Sequence, residues 1–251
     1  MVDDEELTLR EHLRELRRRV IYSAIAVAIT CGISFYFADR VFDVLEELAP
    51  EDTHFIFTEP VELMLIYFKI SVYGGVALAL PFLVYQAVMF VRPALTGREK
   101  TWLYLLLPAV AVFFAIGGTF GYYFVPRMLE FLINFPLAED VADPEIKISS
   151  YVSFVVRLLF GLGLAFETPL VIFFLAKIGV VTPGWLIRKW QYAVVIAFVA
   201  AAAITPTPDP INCTIVAVAL IALYLVGVFL AVFAVRGAKK DEDISGMPEG
   251  G

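Results

Sequence analysis

The stretch RLLFGLGLAFETPLVIFFLAK, residues 157–177, decides the fold because a single carboxylate, Glu167, interrupts a long apolar run. At about 1.5 Å of rise per helical residue, Glu167 lies roughly 15 Å from the basic residue at each end, near the centre of a hydrocarbon layer about 30 Å thick. An acidic side chain at that depth costs about 2.5 to 3.5 kcal/mol to insert, so we expect it to face protein or water. Two interpretations stay open: Glu167 locks helices together through hydrogen bonds, or it forms a functional polar contact or proton site.

The composition predicts an integral membrane protein of the all-α class. Of the 251 residues, 60% are hydrophobic and 18% are charged, whereas soluble domains average about 45–50% and about 25%. The net charge of −7 does not favour nucleic acid as a partner. Because the chain must lie in lipid, the membrane side on which each charge falls matters more than the sum.

Long runs without charged residues predict six transmembrane helices, at about residues 20–38, 68–91, 102–126, 152–177, 192–205 and 211–235. The sequence TPTP at 205–208 ends the fifth run early, so that segment is either a short helix that thins the bilayer locally or a re-entrant segment. The sixth helix is either short or of full length. We therefore expect one membrane domain over residues 1–235, followed by a disordered cytoplasmic tail over residues 236–251.

The basic residues orient these six spans. An even number of spans puts both termini on one side, and most of the 19 Lys and Arg residues, including Arg17, Arg18 and Arg19, fall on that side. The positive-inside rule then predicts that both termini are cytoplasmic. Because the N-terminus is acidic and its apolar run is too long for a signal peptide, we expect it to remain as the first helix.

An amphipathic helix at about residues 8–19 is expected before the first span. Thr8 and Glu11 have the spacing of a capping box, and Leu9, Leu13 and Leu16 recur at helical intervals. We expect this helix to lie along the cytoplasmic face and to run into the first span.

Several motifs, taken in order, resemble those of a known family. The run HLRELRRR, residues 12–19, is similar to the N-terminal signature of TatC, the multispanning subunit of the twin-arginine, Sec-independent protein translocase. Further similar motifs are FVRPAL at 90–95 with Glu99, SYVSF at 150–154, FETP at 166–169, and TPTPDP at 205–210. The resemblance covers roughly residues 7–235, and the order and spacing of the motifs make it specific.

The resemblance implies protein transport rather than enzyme chemistry, with no cofactor and no metal. TatC proteins form a glove-like concave bundle in the cell membrane and bind the twin-arginine signal peptides of folded cargo proteins. They recruit single-span partners of the TatA and TatB types, associate with other copies of themselves and with membrane lipid, and use the proton-motive force for translocation. These properties are expectations for the present chain.

The resemblance also assigns a signal-peptide site. Glu15 and Glu99 match the cytoplasmic carboxylates that engage the two signal arginines, Arg17 matches a supporting basic residue, and Phe90 and Pro93 match residues that shape the adjacent loop. A guanidinium presents a rigid fork of donors that a carboxylate accepts through both oxygens, so this chemistry suits two arginines.

Local ion pairs are the alternative explanation for both carboxylates. Glu15 stands three and four residues before Arg18 and Arg19, and Glu99 has a basic residue on each side. Exposed pairs of this kind contribute only about 0.2 to 1 kcal/mol.

A second site is implied within the membrane. Glu167 matches an intramembrane acid that faces the concave surface, where polar groups of partner helices approach. Asp209 either joins this partner contact or is only a turn residue between two prolines. Two departures from the family remove polar groups from this region: Cys213 stands where many members have Gln, and Leu225 where many have Glu.

The main alternative function is a proton-coupled secondary transporter of a small solute, with Glu167 as the proton carrier. Such transporters tend to contain internal repeats with broken helices in matching positions. The two halves of this sequence show no convincing repeat. The only histidines, His12 and His54, lie outside the predicted spans, which leaves no intramembrane histidine for haem or for a metalloprotease site.

Overall fold

The computed structural model describes residues 9–50, 53–91, 100–133, 145–205 and 209–245, which are mostly helical. Two short strands are inserted among the helices. In chain order the elements are α1 (Leu9–Tyr36), α2 (Ala38–Glu46), β1 (His54–Ile56), α3 (Glu62–Val91), α4 (Lys100–Ile133), β2 (Glu145–Lys147), α5 (Ile148–Phe166), α6 (Thr168–Lys177), α7 (Pro183–Arg188), α8 (Trp190–Ile204) and α9 (Pro210–Ser245).

Five helical segments within the described ranges are long and apolar enough to cross a membrane. They are Arg10–Tyr36, Glu62–Phe90, Leu106–Leu132, Ile148–Lys177 and Pro210–Ala234. A sixth apolar helix, Trp190–Ile204, has only 15 residues and coincides with the fifth predicted run. Each apolar run of the sequence therefore corresponds to a helix, and the fifth is short as expected.

Four features differ from the expectations for the fold. The helix α2 follows the first span directly, and β1 pairs with β2 in a two-stranded parallel sheet with His54 opposite Glu145, so the chain is mostly helical rather than all-α. The last helix is not short, since α9 has 36 residues. It also continues to Ser245, past residue 236 where a disordered tail was expected, because Ala, Lys and Glu are good helix formers and extending an existing helix is easy.

The first helix is continuous. The amphipathic segment expected at 8–19 and the span expected at 20–38 form one helix of 28 residues, α1. The junction is built from Arg17, Arg18, Arg19 and Val20, which contain neither proline nor glycine, so nothing in the sequence interrupts the helix there.

The first compact unit comprises the described parts of residues 1–46 and 57–111. Its main contact is between α1 and α3, which pack along their lengths. The hydroxyl of Thr30 donates a hydrogen bond to the carbonyl oxygen of Gly75 at 2.7 Å. A Cβ atom on Gly75 would lie only 2.6 Å from the Cα atom of Cys31, so a glycine is required for this close approach.

The second compact unit comprises the described parts of residues 47–56 and 112–251. In this unit α6, α7 and α8 all pack against α9. The contact between α6, α7 and α9 is an apolar cluster of buried side chains: Ile172, Ala176, Leu186, Val228, Ala231 and Ala234. This cluster holds the C-terminal helices together.

The helical segment over residues 148–177, which contains the stretch 157–177, is broken at Glu167, between α5 and α6. Pro169 has no amide hydrogen to donate to the carbonyl of Ala165, so the regular helical bond is missing at this point. The amide of Glu167 instead donates to the carbonyl of Leu164, three residues earlier, at 3.1 Å. The proline therefore positions the carboxylate at a helix break.

Glycine also sets the distance between α4 and α5. A Cβ atom on Gly117 would lie 2.8 Å from the Cα atom of Gly163 and 2.8 Å from the carbonyl oxygen of Leu162. Both neighbours are backbone atoms and cannot rotate away. A Cβ atom on the next residue, Gly118, would have no atom of the described residues within 4 Å.

This pair of glycines gives a matched test of the packing. We expect Gly117→Ala to lower the free energy of unfolding by about 1–3 kcal/mol, because the added methyl group overpacks the contact. Gly118→Ala should raise it by about 0.5–1 kcal/mol, because alanine favours the helix and open space surrounds it. Thermal unfolding of both variants in one detergent, followed by circular dichroism, measures the difference. Equal unfolding temperatures would show that α4 and α5 are not in this contact.

Candidate functional site

The first turns of α1 and the last turns of α3 form a polar cluster, which we call the Glu15 cluster: His12, Glu15, Arg19, Gln86 and Phe90. The Oε1 atom of Glu15 accepts hydrogen bonds from Nε of Arg19, at 3.0 Å, and from Nη2 of the same guanidinium. The Nη1 atom of Arg19 donates to Oε1 of Gln86 at 3.2 Å. Arg19 thus joins the Glu15 carboxylate to α3.

An aromatic stack joins α1 and α3 one helical turn away from Glu15 and Gln86. The rings of His12 and Phe90 are stacked, with centroids 4.3 Å apart and an angle of 28° between the planes. His12 precedes Glu15 by one turn, and Phe90 follows Gln86 by one turn. The stack and the Arg19 bridge together bring the motif at residues 12–19 against Phe90, the first residue of the motif at 90–95. These two motifs lie far apart in sequence.

The Glu15–Arg19 ion pair is largely shielded from solvent. The exposed fraction of the side chain is 20% for Glu15 and 14% for Arg19. The local pairing considered for Glu15 is therefore present, with Arg19 rather than Arg18. Within the described part of the chain, no group is bonded to the second carboxylate oxygen, Oε2, of Glu15. That oxygen can accept a donor from a ligand.

The described part of the cluster does not include the other predicted residues of this site. Arg17 is exposed and makes no hydrogen bond or ion pair with any described residue. Its position two residues from Glu15 puts it on a different face of α1. Pro93 and Glu99 lie outside the described residues.

Three members of the cluster were not predicted as site residues: His12, Arg19 and Gln86. Gln86 had a usable signal in the sequence, because it is a polar residue within an apolar run and 7% exposed. A side-chain amide in a membrane span needs a partner on a neighbouring helix. His12 and Arg19 belong to the N-terminal motif, but only the packing of α1 on α3 reveals their partners.

The second candidate site surrounds Glu167 at the break between α5 and α6. Glu167 is 7% exposed. Its carboxylate oxygen Oε1 is buried and has no hydrogen-bond partner among the described residues. Glu167 therefore retains an acceptor that a polar group from another molecule could satisfy.

Asp209 has a structural role at the start of α9. Its Oδ1 atom accepts from the amide of Ile211 at 3.1 Å, and its Oδ2 atom accepts from the amide of Asn212 at 3.0 Å. These bonds cap the helix and satisfy amides that have no partner within it. These bonds give Asp209 a local role at the helix start, and its part in a partner contact stays a prediction.

The residues around Asp209 contain a polar group that the sequence did not suggest. Asn212 is 4% exposed, and its Nδ2 atom is buried with no partner among the described residues. Cys213 is half-buried. Leu225 is 59% exposed. Asn212 is therefore a buried polar side chain in this region with a donor that no described residue accepts.

Comparison with known proteins identifies the family. Residues 11–219 match the family model of TatC, described as Sec-independent protein translocase protein. The chain is 39% identical over 238 residues to the Sec-independent protein translocase protein TatC of Aquifex aeolicus, covering 93% of this chain and 98% of that protein. It is 34% identical over 233 residues to the TatC of Koribacter versatilis, covering 90% and 85% respectively.

A solved structure agrees with these matches. A crystal structure of the twin arginine translocase receptor TatC superposes with a TM-score of 0.78 at 38% identity, covering 90% of this chain and all of that one. The chain therefore belongs to the TatC family of Sec-independent protein translocase proteins.

Proposed function

We propose that this membrane protein is the core receptor subunit of a twin-arginine translocase. It binds twin-arginine signal peptides, recruits single-span TatA-type and TatB-type subunits, and assembles with other copies of itself. Folded cargo proteins then cross the cell membrane, driven by the proton-motive force. The proposal includes six spans in a concave bundle, with Trp190–Ile204 as the short fifth, and cytoplasmic termini.

The Glu15 cluster is the observation that carries this proposal. The Glu15 carboxylate already accepts two donors from one guanidinium, that of Arg19, and its Oε2 atom is open among the described residues. A signal arginine can therefore bind the same carboxylate without displacing Arg19. Charge-assisted hydrogen bonds of this type are roughly twice as strong as neutral ones.

The surrounding charges favour selective binding over general attraction of cations. Arg14, Arg17 and Arg18 are exposed on α1 close to Glu15, and they repel cationic peptides as a class. A ligand must recover this cost through directed hydrogen bonds, and the rigid planar guanidinium loses less conformational freedom for each bond than the flexible ammonium of lysine. In this proposal Glu99 receives the other signal arginine, Arg17 supports the site, and Phe90 and Pro93 shape its edge.

Glu167 has a separate role in this proposal. Its buried Oε1 atom, which no described residue pairs with, receives a polar group from the helix of a partner subunit during a step that follows signal binding. Asn212 has a buried Nδ2 atom that likewise has no partner among the described residues, so a partner could also satisfy this group. The alternative of a solute transporter has no such observation in its favour, and the family membership supports the translocase.

A binding measurement tests the receptor role. A labelled signal peptide should bind the purified protein in nanodiscs at least about tenfold more tightly with Arg-Arg than with Lys-Lys at the motif, because hydrogen bonds to charged groups contribute about 1.5–3 kcal/mol. Glu15→Gln should remove most of this preference. Glu11→Gln, one turn earlier on α1, is the control and should leave it intact. Equal binding of both peptides by the folded protein would contradict the proposal.

A transport measurement tests the separate role of Glu167. We expect Glu167→Ala to bind the Arg-Arg peptide normally but to lose translocation of a folded cargo into membrane vesicles, because the acceptor for the partner helix is gone. Glu130→Ala, which removes an exposed carboxylate from α4, should retain both activities. If Glu167→Ala lost peptide binding as completely as Glu15→Gln, the two sites would not be separate.

A further inference from the structure

A groove in the second unit has no place in the proposed function. It has a volume of about 450 Å³ and is lined by Thr168 of α6 and by residues of α7, α8 and α9. We call it the α7–α9 groove. Apart from Thr168, Lys189 and the hydroxyls of Tyr192 and Tyr224, its lining is apolar. The volume falls within the range of about 300–1,000 Å³ typical of ligand sites.

The wall formed by α7 is held in place. The hydroxyl of Tyr224 on α9 donates to the carbonyl oxygen of Leu186 at 2.9 Å, and the Leu186 side chain is buried in the apolar cluster with Ile172 and Val228. Thr182 caps α7 through the amide of Trp185 at 3.3 Å. The groove is therefore formed before any ligand enters.

The dimensions of the groove suit one lipid chain. From Lys189 to Ala200 it follows α8 for about 16 Å, at about 1.5 Å per residue, which matches one leaflet of a hydrocarbon layer about 30 Å thick. A single extended acyl chain of one leaflet has about this length.

One end of the groove lies at the start of α8, around Lys189, and we call this end the mouth. It carries positive charge and aromatic residues. Lys189 lies at the mouth beside Arg188, and residues 168–205 contain no Asp or Glu. Trp185 and Tyr192, which also line the groove, are 52% and 62% exposed. Trp and Tyr favour the level of lipid headgroups, and basic residues there attract anionic lipids.

The charge at the mouth also argues against a zwitterionic headgroup. Residues 168–205 offer no carboxylate to a choline ammonium. Nζ of Lys189, which lies 5.2 Å from the centroid of the Tyr192 ring, repels an ammonium at that ring.

We propose that the α7–α9 groove is a site for an anionic glycerophospholipid from the surrounding bilayer. One acyl chain occupies the groove along α8, and Lys189 holds the phosphate. The site rests on the membrane location of these helices and not on signal-peptide binding, so it can be tested independently of the receptor role.

Tryptophan fluorescence can test this site directly, because the chain contains only three Trp residues. A variant with Trp102→Phe and Trp190→Phe keeps Trp185 in the groove lining as the single reporter. It is reconstituted in mixtures of phosphatidylglycerol and phosphatidylcholine in which one or the other lipid carries brominated chains, which quench Trp at close range. We expect Trp185 to favour phosphatidylglycerol about fivefold, the factor that corresponds to about 1 kcal/mol for one basic side chain at an anionic surface.

Matched variants separate a site from general surface charge. Lys189→Gln should abolish the preference at Trp185, Lys189→Arg should preserve it, and Arg188→Gln, which removes a neighbouring charge outside the groove lining, should change it little. A variant that keeps only Trp190, which does not line the groove, should report no preference.

Three results would overturn the proposal. Equal quenching of Trp185 by both lipids would mean that the groove holds bulk lipid. Equal loss of the preference in Lys189→Gln and Arg188→Gln would mean that the loop attracts anionic lipid without a defined site. Exclusion of both brominated lipids from Trp185 would mean that another molecule occupies the groove.

Discussion

Close approach of helix backbones at small residues is the interaction on which this fold depends. Within a bilayer the lipid chains are as apolar as the side chains, so burial of apolar surface gives helices little reason to associate. Van der Waals contact must supply the attraction, and it falls off steeply with distance. Gly75 against Cys31 in the first unit, and Gly117 against Gly163 in the second, bring backbones close enough for that contact.

The polar groups are positioned by the same close packing. The Thr30 hydroxyl reaches the carbonyl of Gly75 across the contact of α1 and α3, and the Arg19 bridge to Gln86 lies farther along the same pair of helices. The position of the Glu167 carboxylate, by contrast, depends on a nearby residue in the sequence, because Pro169 breaks the helix beside it. One site is therefore assembled by tertiary packing and the other by local sequence.

This distinction explains how much could be predicted. Apolar runs and the position of Glu167 are properties of contiguous sequence, so the spans, the short helix Trp190–Ile204 and the intramembrane acid followed from the residues. The family motifs likewise led to Glu15 and Phe90. Contacts between distant residues could not be obtained this way: nothing near Arg19 indicates that its partner is Gln86, 67 residues later, and β1 has too few residues for a strand pattern. The α7–α9 groove could not be predicted from the sequence because residues of four helices, α6 to α9, must meet to form it.

The parallel pairing of β1 with β2 has a consequence for the synthesis of the protein. The register joins residue 54 to residue 145, and the intervening chain contains α3 and α4, two of the long apolar helices. At about 5–20 residues per second, a ribosome needs about 5–18 s to make that segment. During this interval the first strand has no second strand to pair with, and two hydrophobic helices must be inserted before it does. The small sheet is therefore a late event in biogenesis, completed only when the fourth long helix begins to emerge.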